Sequence, residues 1–280
     1  MPFKSILSLF LVCALLLSFT SCGAKEQPST TAPTPTESQT FSEIEKELIT
    51  VSIPEGYTLL RLSWLLEKKG ICSSAAFLEA AEQYDLSKFP VLQDVKNRSD
   101  VCFPLEGYLF PATYQFKKNT APTKVLDELV KTANGRFQGL LENGKSEQGY
   151  TLHEILTIAS IIEKEAFTSE QRSKISAVLH NRLKQGMPLQ CDVTIKYCEG
   201  VIKVQYPEKF DKMRYLYNTY KCKALPAGPI CNPGMESIEA ALHPADIDAL
   251  YFVIATEPPY ESRFSKDYNE HLKNCKELGY

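Results

Sequence analysis

Two glutamates close an apolar segment of the chain and are its clearest candidates for chemistry. Glu163 and Glu165 lie near the end of residues 152–166, which are apolar around most of the circumference of a helix. A carboxylate among apolar side chains is costly to ionise, so its pKa rises toward neutrality. Such an acid can protonate a glycosidic oxygen near neutral pH. The pattern therefore predicts a general acid at the end of a buried helix.

The residues alone leave open which of the two glutamates is that acid. On a helix the two side chains point about 160° apart, so they cannot act as one acid pair. We expect one glutamate to be structural, paired with an arginine such as Arg172 or Arg182. The other is expected to face a cleft.

The surrounding sequence predicts a mixture of helices and a few strands. The apolar helix begins at Thr151, and Glu154 three residues on completes a capping box. Apolar spacing predicts further helices at 125–141 and 170–184, a short helix at 237–242 and a strand at 250–255. Residues 105–114 are aromatic and interrupted by glycine and proline, which favours the wall of a loop. The stretch between residues 185 and 235 is typical of loops.

Residues 48–100 are predicted to form a small subdomain. A strand at 49–53 is followed by two short helices within 58–85. This order resembles a LysM-like carbohydrate-binding unit. A subdomain that serves only for packing is the alternative.

The first residues have the order of an export signal. Lys4 precedes an apolar run at 6–19, which small residues close at Thr20, Ser21 and Cys22. Residues 19–22 resemble a lipobox, which would make Cys22 the lipid attachment site and would place the protein on the outer face of the cytoplasmic membrane. Residues 23–47 are rich in proline, serine and threonine and predict a disordered tether. A transmembrane anchor and a soluble secreted protein are the alternatives.

Composition and residue spacing exclude several classes of partner. The formal net charge is -3 and no long run of cations occurs, which argues against nucleic acid as a partner. The four histidines and the cysteines lack the spacing of metal ligands, so we expect neither a metal nor another cofactor. Seven cysteines remain after Cys13 and Cys22, and their pairing cannot be read from the sequence.

Six motifs occur in the order and spacing of one enzyme family. They are IASIIEKE (158–165), NRL (181–183), GMPLQ (186–190), YNTY (217–220), LPAGPI (225–230) and ALHP (241–244). The chain resembles the MltG (YceG-like) family of endolytic murein transglycosylases over about residues 48–275. It is also similar to the wider lysozyme-like transglycosylases, in which the catalytic glutamate ends an apolar helix before a small residue. That resemblance favours Glu165, which Ala166 follows, over Glu163.

The resemblance implies an α+β fold and a set of site residues. The fold would be a small LysM-like N-terminal subdomain, residues 48–100, followed by a lysozyme-like transglycosylase catalytic domain, residues 101–280. Glu165 would be the acid and later the base. The substrate-binding residues would be Gln190, Tyr217, Asn218, Tyr220, Glu106 and Asp192.

The resemblance also implies a reaction without a cofactor. One glutamate would cleave peptidoglycan glycan strands between N-acetylmuramic acid and N-acetylglucosamine, leaving 1,6-anhydro muramic ends on newly made strands at the membrane. Peptidoglycan synthases are candidate partners. A muramidase that uses Glu106 or Asp192 as a second carboxylate is the rival enzyme. A cell-wall-binding or scaffold protein without catalysis is the third interpretation.

Overall fold

The computed structural model describes residues 48–141, 143–222 and 224–280, so the predicted signal, the tether and Cys22 lie outside the described residues. The described chain is a mixed α+β structure, mostly helical with two small two-stranded sheets. The strands are β1 (Leu48–Ser52), β2 (Thr113–Lys117), β3 (Tyr251–Ile254) and β4 (Ser262–Ser265). The helices are α1 (Leu59–Lys68), α2 (Ser74–Glu82), α3 (Pro122–Phe137), α4 (Leu152–Glu165), α5 (Ser169–Lys184), α6 (Asp192–Tyr197), α7 (Lys203–Gln205), α8 (Phe210–Tyr217), α9 (Met235–Leu242) and α10 (Tyr268–Glu277). Within these ranges no helix is both long and apolar enough to cross a bilayer.

The first sheet joins two distant parts of the chain. Strand β1 pairs antiparallel with β2, from Leu48 opposite Lys117 to Ser52 opposite Thr113. Helices α1 and α2 lie between the two strands in sequence, and the side chains of Thr58 and Ser73 cap their first turns. The boundary predicted at residue 100 therefore falls between two strands of one sheet. Residues 105–112, for which the sequence favours a loop, form a mostly buried loop that leads into β2.

This buried loop packs closely against the segment before α9. Gly107 has φ 87°, and a Cβ atom there would lie 2.5 Å from the Pro229 ring, so only glycine fits without displacement. The Asn232 side chain accepts a hydrogen bond from the Leu109 amide and donates to the Tyr57 carbonyl oxygen. The two segments are thus fixed by one close backbone approach and one buried amide.

Helix α4 is the central helix of the core, and it starts where the sequence predicts. Thr151 and Glu154 form the expected capping box. His153 and every residue from Ile155 through Ile162 are buried, and the helix packs against α5 and α9. Ser160 donates to the Thr157 carbonyl and accepts from the Ile230 amide, so its buried hydroxyl is satisfied.

Two parts of the secondary structure differ from the sequence prediction. Helices α6, α7 and α8 occupy the stretch predicted as loop, because glycine and proline interrupt it often enough to hide short helices. Helix α10 was not predicted. None of its residues is buried, so it lacks the pronounced apolar stripe by which a helix is recognised in a sequence.

Glu163 forms hydrogen bonds within the fold, and its partners lie at the start of helix α9 rather than on an arginine. Its Oε2 accepts hydrogen bonds from the Gly234 amide at 3.2 Å and the Ser237 hydroxyl at 2.7 Å. These groups belong to the N-terminus of α9, where a negative charge is favoured. The expected ion pair is wrong: Arg172 pairs with Glu236, and Arg182 donates to backbone carbonyls and the Gln190 side chain.

Replacing Glu163 with alanine is expected to destabilise the fold. The substitution removes two hydrogen bonds to a charged acceptor and leaves a helix N-terminus uncapped, which costs about 2 kcal/mol. Urea unfolding measures the change. The control, Glu128→Ala on the exposed face of α3, is expected to change stability by less than about 0.5 kcal/mol. Equal losses in the two variants would show that Glu163 does not hold α9.

Candidate active site

Glu165 lies at the exit of α4 from the core, on the wall of a cleft of about 620 Å³. The helix ends there because Ala166 adopts an extended conformation, with φ -87° and ψ 140°. Burial and, to a smaller extent, the nearby Asp192 carboxylate raise the pKa of Glu165 to about 7, and Lys196 opposes that rise. Its carboxyl makes no hydrogen bond or ion pair with a described residue. A carboxylic acid near half protonation at neutral pH is therefore presented to the cleft.

The two glutamates have different surroundings because they lie on different sides of one helix. Glu163 points to the N-terminus of α9, where two donors hold its oxygen. Glu165 points to the cleft, and its environment favours the protonated form. The geometry thus distinguishes the two residues where the sequence alone left the choice open.

Gln190 lies on the opposite part of the cleft, in a loop held by Arg182. The backbone of Gln190 has φ 55°, and its amide donates to the Thr219 carbonyl at 3.1 Å. Arg182 Nη1 donates to Gln190 Oε1 at 3.0 Å, which fixes the exposed side chain beside the cleft. The amide nitrogen of the Gln190 side chain remains available as a donor.

Asp192 and Tyr220 form a second polar pair in the same cleft. The Tyr220 hydroxyl donates to Asp192 Oδ1 at 2.7 Å. Burial and this carboxylate raise the pKa of Tyr220 to about 12, so its hydroxyl stays protonated. The ring of Tyr220 is 46% exposed, which leaves a face that a sugar can cover.

Tyr217, Asn218 and Glu106, by contrast, do not line this cleft. Tyr217 is 1% exposed and its hydroxyl accepts from the Cys102 amide, so its ring has no face for a glycan. Asn218 Oδ1 accepts from the Tyr220 amide and shapes the turn below the cleft. The expectation that Tyr217 contacts substrate is corrected because the ring fills the core, and Asn218 acts here on the position of Tyr220.

Glu106 is a buried structural carboxyl. Its oxygens accept hydrogen bonds from the Leu59 amide at 2.9 Å, the Asn232 side chain at 3.2 Å and the Tyr197 hydroxyl at 3.2 Å. Burial raises the pKa of Glu106 to about 8, although the hydrogen bonds from Leu59 and Tyr197 oppose that rise. Since Glu106 is 1% exposed, it is not available as a substrate contact or as a second catalytic carboxylate.

Several cleft residues escaped the sequence analysis. Thr219 is fully buried, and its hydroxyl accepts from the Cys191 amide at 2.9 Å, which holds the loop that carries Gln190. An aromatic wall from β3, α10 and the last residue completes the cleft; its members are Tyr251, Phe252, Tyr268, His271 and Tyr280. Phe167 stacks on Tyr260 at 4.3 Å on the side next to Glu165. Among these residues, only Thr219 belongs to a motif identified in the sequence, YNTY, so only its position could have drawn attention to the cleft.

The described residues offer no cluster of three or more histidine, cysteine or acidic side chains that could hold a metal ion. The seven cysteines within the described ranges all have free thiols. Burial raises the pKa of the Cys191 thiol, which lies beside the cleft loop. The cleft presents the carboxyl groups of Glu165 and Asp192, aromatic rings, and the cationic side chains of Lys164, Arg182 and Lys196.

The chain is similar to known proteins over most of its length. The sequence profile of the YceG-like family matches residues 31–277. An endolytic murein transglycosylase from Bacillus subtilis is 42% identical over 191 residues, which are 66% of this chain and 51% of that protein. The endolytic murein transglycosylase of Streptococcus pneumoniae strain D39 is 32% identical over 251 residues, covering 83% of this chain and 45% of that protein.

A crystal structure agrees with these sequence comparisons. A YceG-like protein from Listeria monocytogenes matches with a TM-score of 0.71 and 34% identity, over 81% of this chain and 76% of that one. The chain spans about half the length of the curated relatives it matches. Because the family profile covers nearly all of the described residues and the fold agrees, the chain belongs to the YceG-like family.

Proposed function

We propose that this chain is a lytic transglycosylase that cleaves peptidoglycan glycan strands between N-acetylmuramic acid and N-acetylglucosamine. The observation that carries the proposal is Glu165, a carboxyl group on a cleft of about 620 Å³ whose pKa burial raises to about 7. The names of the Bacillus and Streptococcus relatives support the same activity.

Glu165 serves first as acid and then as base. In its protonated form it donates a proton to the glycosidic oxygen as the bond from that oxygen to C1 of muramic acid breaks. The resulting carboxylate accepts the proton of the C6 hydroxyl of the same sugar while that oxygen bonds to C1. The products are a free hydroxyl on one fragment and a 1,6-anhydro ring on the other. No water is consumed and Glu165 returns to its protonated form.

The other cleft residues hold the glycan and adjust the acid. Asp192 raises the pKa of Glu165 by its charge and orients Tyr220 through a hydrogen bond. Gln190 presents an amide donor to a sugar hydroxyl or acetamide group. The exposed faces of Tyr220 and Phe167 stack on sugar rings.

A muramidase is the second candidate, because Asp192 is a carboxylate in the same cleft. In that reaction a second carboxylate activates water or attacks C1 itself, and the product is a reducing end. Glu106 is unsuited to this role because it is buried away from the cleft.

The chemistry of the new ends tests the proposal directly. Digestion of uncrosslinked glycan strands in water labelled with oxygen-18 is expected to give 1,6-anhydro muramic ends without the label. These ends are lighter by one water than reducing ends, so mass spectrometry separates the two. Glu165→Gln is expected to release no fragments, whereas the control Glu170→Gln, at an exposed glutamate of α5, retains full activity.

Labelled reducing ends would instead establish the muramidase. Strands left uncut by the wild-type protein, with its thermal unfolding intact, would support the non-catalytic cell-wall-binding role. Undiminished cleavage by Glu165→Gln would refute the assignment of the acid.

The pH dependence of turnover tests the electrostatic role of Asp192. Since Glu165 acts in its protonated form, kcat is expected to fall as the pH rises through about 7. Asp192→Asn removes a negative charge that favours protonation, so the falling limb is expected to move to lower pH while turnover persists below it. Steady-state rates measured between pH 5 and pH 9 give the shift of the falling limb. Loss of turnover at every pH would point to Asp192 as the second carboxylate of a muramidase.

We also propose that Cys22 carries a lipid that holds the enzyme on the outer face of the cytoplasmic membrane. The support is the apolar run at 6–19 and the small residues before the cysteine. This location gives access to newly made strands and to the synthases that make them. The mature N-terminus is expected to begin at Cys22 with added acyl mass in mass spectrometry. A chain that begins elsewhere, without acyl mass, would contradict the anchor.

A further inference from the structure

A second groove, of about 390 Å³, lies beside the catalytic cleft. We call it the basic groove; α1 contributes Arg61 and Trp64, α4 contributes Lys164, and α6 contributes Lys196. Trp64 is the only tryptophan of the chain and is 51% exposed. Arg61 and Trp64 are three residues apart on α1, so they share one face of that helix.

The charges of the basic groove are of one sign. Arg61, Lys164 and Lys196 are exposed, and none of them forms an ion pair with a described residue. Lys164 Nζ lies 3.4 Å from the Gly56 carbonyl oxygen, its one hydrogen bond to a described residue. The described lining includes no carboxylate, and its floor contains the buried apolar residues Val201 and Ile230. A ligand with negative charges and apolar groups fits this lining.

The basic groove and the catalytic cleft adjoin. Lys164, Val193 and Lys196 line both cavities. Lys164 directly precedes Glu165 in α4, so the two side chains diverge by about 100° toward the two cavities. A branched substrate can therefore place one branch in each cavity.

We propose that the basic groove binds the peptide stem of the strand whose glycan backbone lies in the catalytic cleft. The inference rests on the proposed function, since it assigns a second part of the same substrate. The N-acetylated sugars of a stem-bearing strand are uncharged, so carboxylates occur only on the stem. The alanine methyl groups of the stem suit the indole of Trp64 and the apolar floor. The enzyme therefore prefers stem-bearing strands to strands without peptides.

Arg61→Glu separates this role from catalysis, because Arg61 does not line the catalytic cleft. The substrates are uncrosslinked strands with intact stems and the same strands stripped by an amidase, which keep only the lactyl carboxylate next to each muramic acid ring and lack the carboxylates and methyl groups of the stem. The variant is expected to lower kcat/KM on stem-bearing strands about fivefold, the scale of a partly exposed ion pair. Its kcat/KM on stripped strands is expected to stay at the wild-type value. Lys68→Glu makes the same charge change on α1 outside the basic groove and is expected to change neither.

Trp64 gives a readout that does not depend on turnover. Because it is the only tryptophan, its fluorescence reports on the basic groove alone. Titration with a disaccharide that carries a stem peptide is expected to change the emission of the wild-type protein. The same disaccharide without the peptide is expected to leave it unchanged, and Arg61→Glu weakens the response to the first.

The two readouts distinguish failure of the inference from failure of the proposed function. Cleavage of both substrates with equal efficiency, with no effect of Arg61→Glu, would overturn the peptide site and leave the transglycosylase in place. Absence of cleavage of either substrate would overturn the proposed function. In that case the fluorescence titration still tests whether the basic groove binds the peptide stem. An equal change in emission with both disaccharides would overturn that assignment.

Discussion

Burial of helix α4 is the constraint on which the rest of the structure depends. The helix is buried along most of its length between Ile155 and Ile162, and its last turn carries Glu163 and Glu165 out of the core. A carboxyl at that exit retains apolar neighbours on one side and faces the cleft on the other. The raised pKa of Glu165 is therefore a consequence of where the core ends.

Three carboxyl groups show how local donors decide the role of one side-chain type. Glu106 and Glu163 each accept hydrogen bonds from a backbone amide and a side chain, and each holds segments of the fold together. Glu165 has burial without such donors. Burial raises the pKa of both Glu106 and Glu165, but of these two carboxyl groups only Glu165 lines the cleft, where a neutral acid can donate its proton. Arg182 donates hydrogen bonds to backbone carbonyls and to the Gln190 side chain, which fixes the facing wall of the cleft. It forms no ion pair with Glu165.

The sequence predicted features that depend on neighbours along the chain. The capping box of α4, the two helices after β1 and the helical span of α5 follow from local spacing and were confirmed. It predicted less well what depends on distant contacts. The YNTY motif taken alone favoured core positions for its tyrosines, but it could not show that the first is buried beside Cys102 while the second faces the cleft, and nothing near Arg61 indicates a neighbour at Lys196. The aromatic wall from β3 and α10 likewise depends on tertiary packing that periodicity does not report.

The pairing of β1 with β2 bears on how the chain folds. Leu48 meets Lys117, so this contact closes a loop far longer than a hairpin turn, and its entropic cost must be met by packing formed between the two ends. During synthesis β1 stays without its partner until the ribosome has made residue 117. Helices α1 and α2 can form earlier, since their caps are local. The N-terminal sheet therefore cannot form before residue 117 is available, and a fragment ending at residue 100 would leave β1 with an unpaired strand edge.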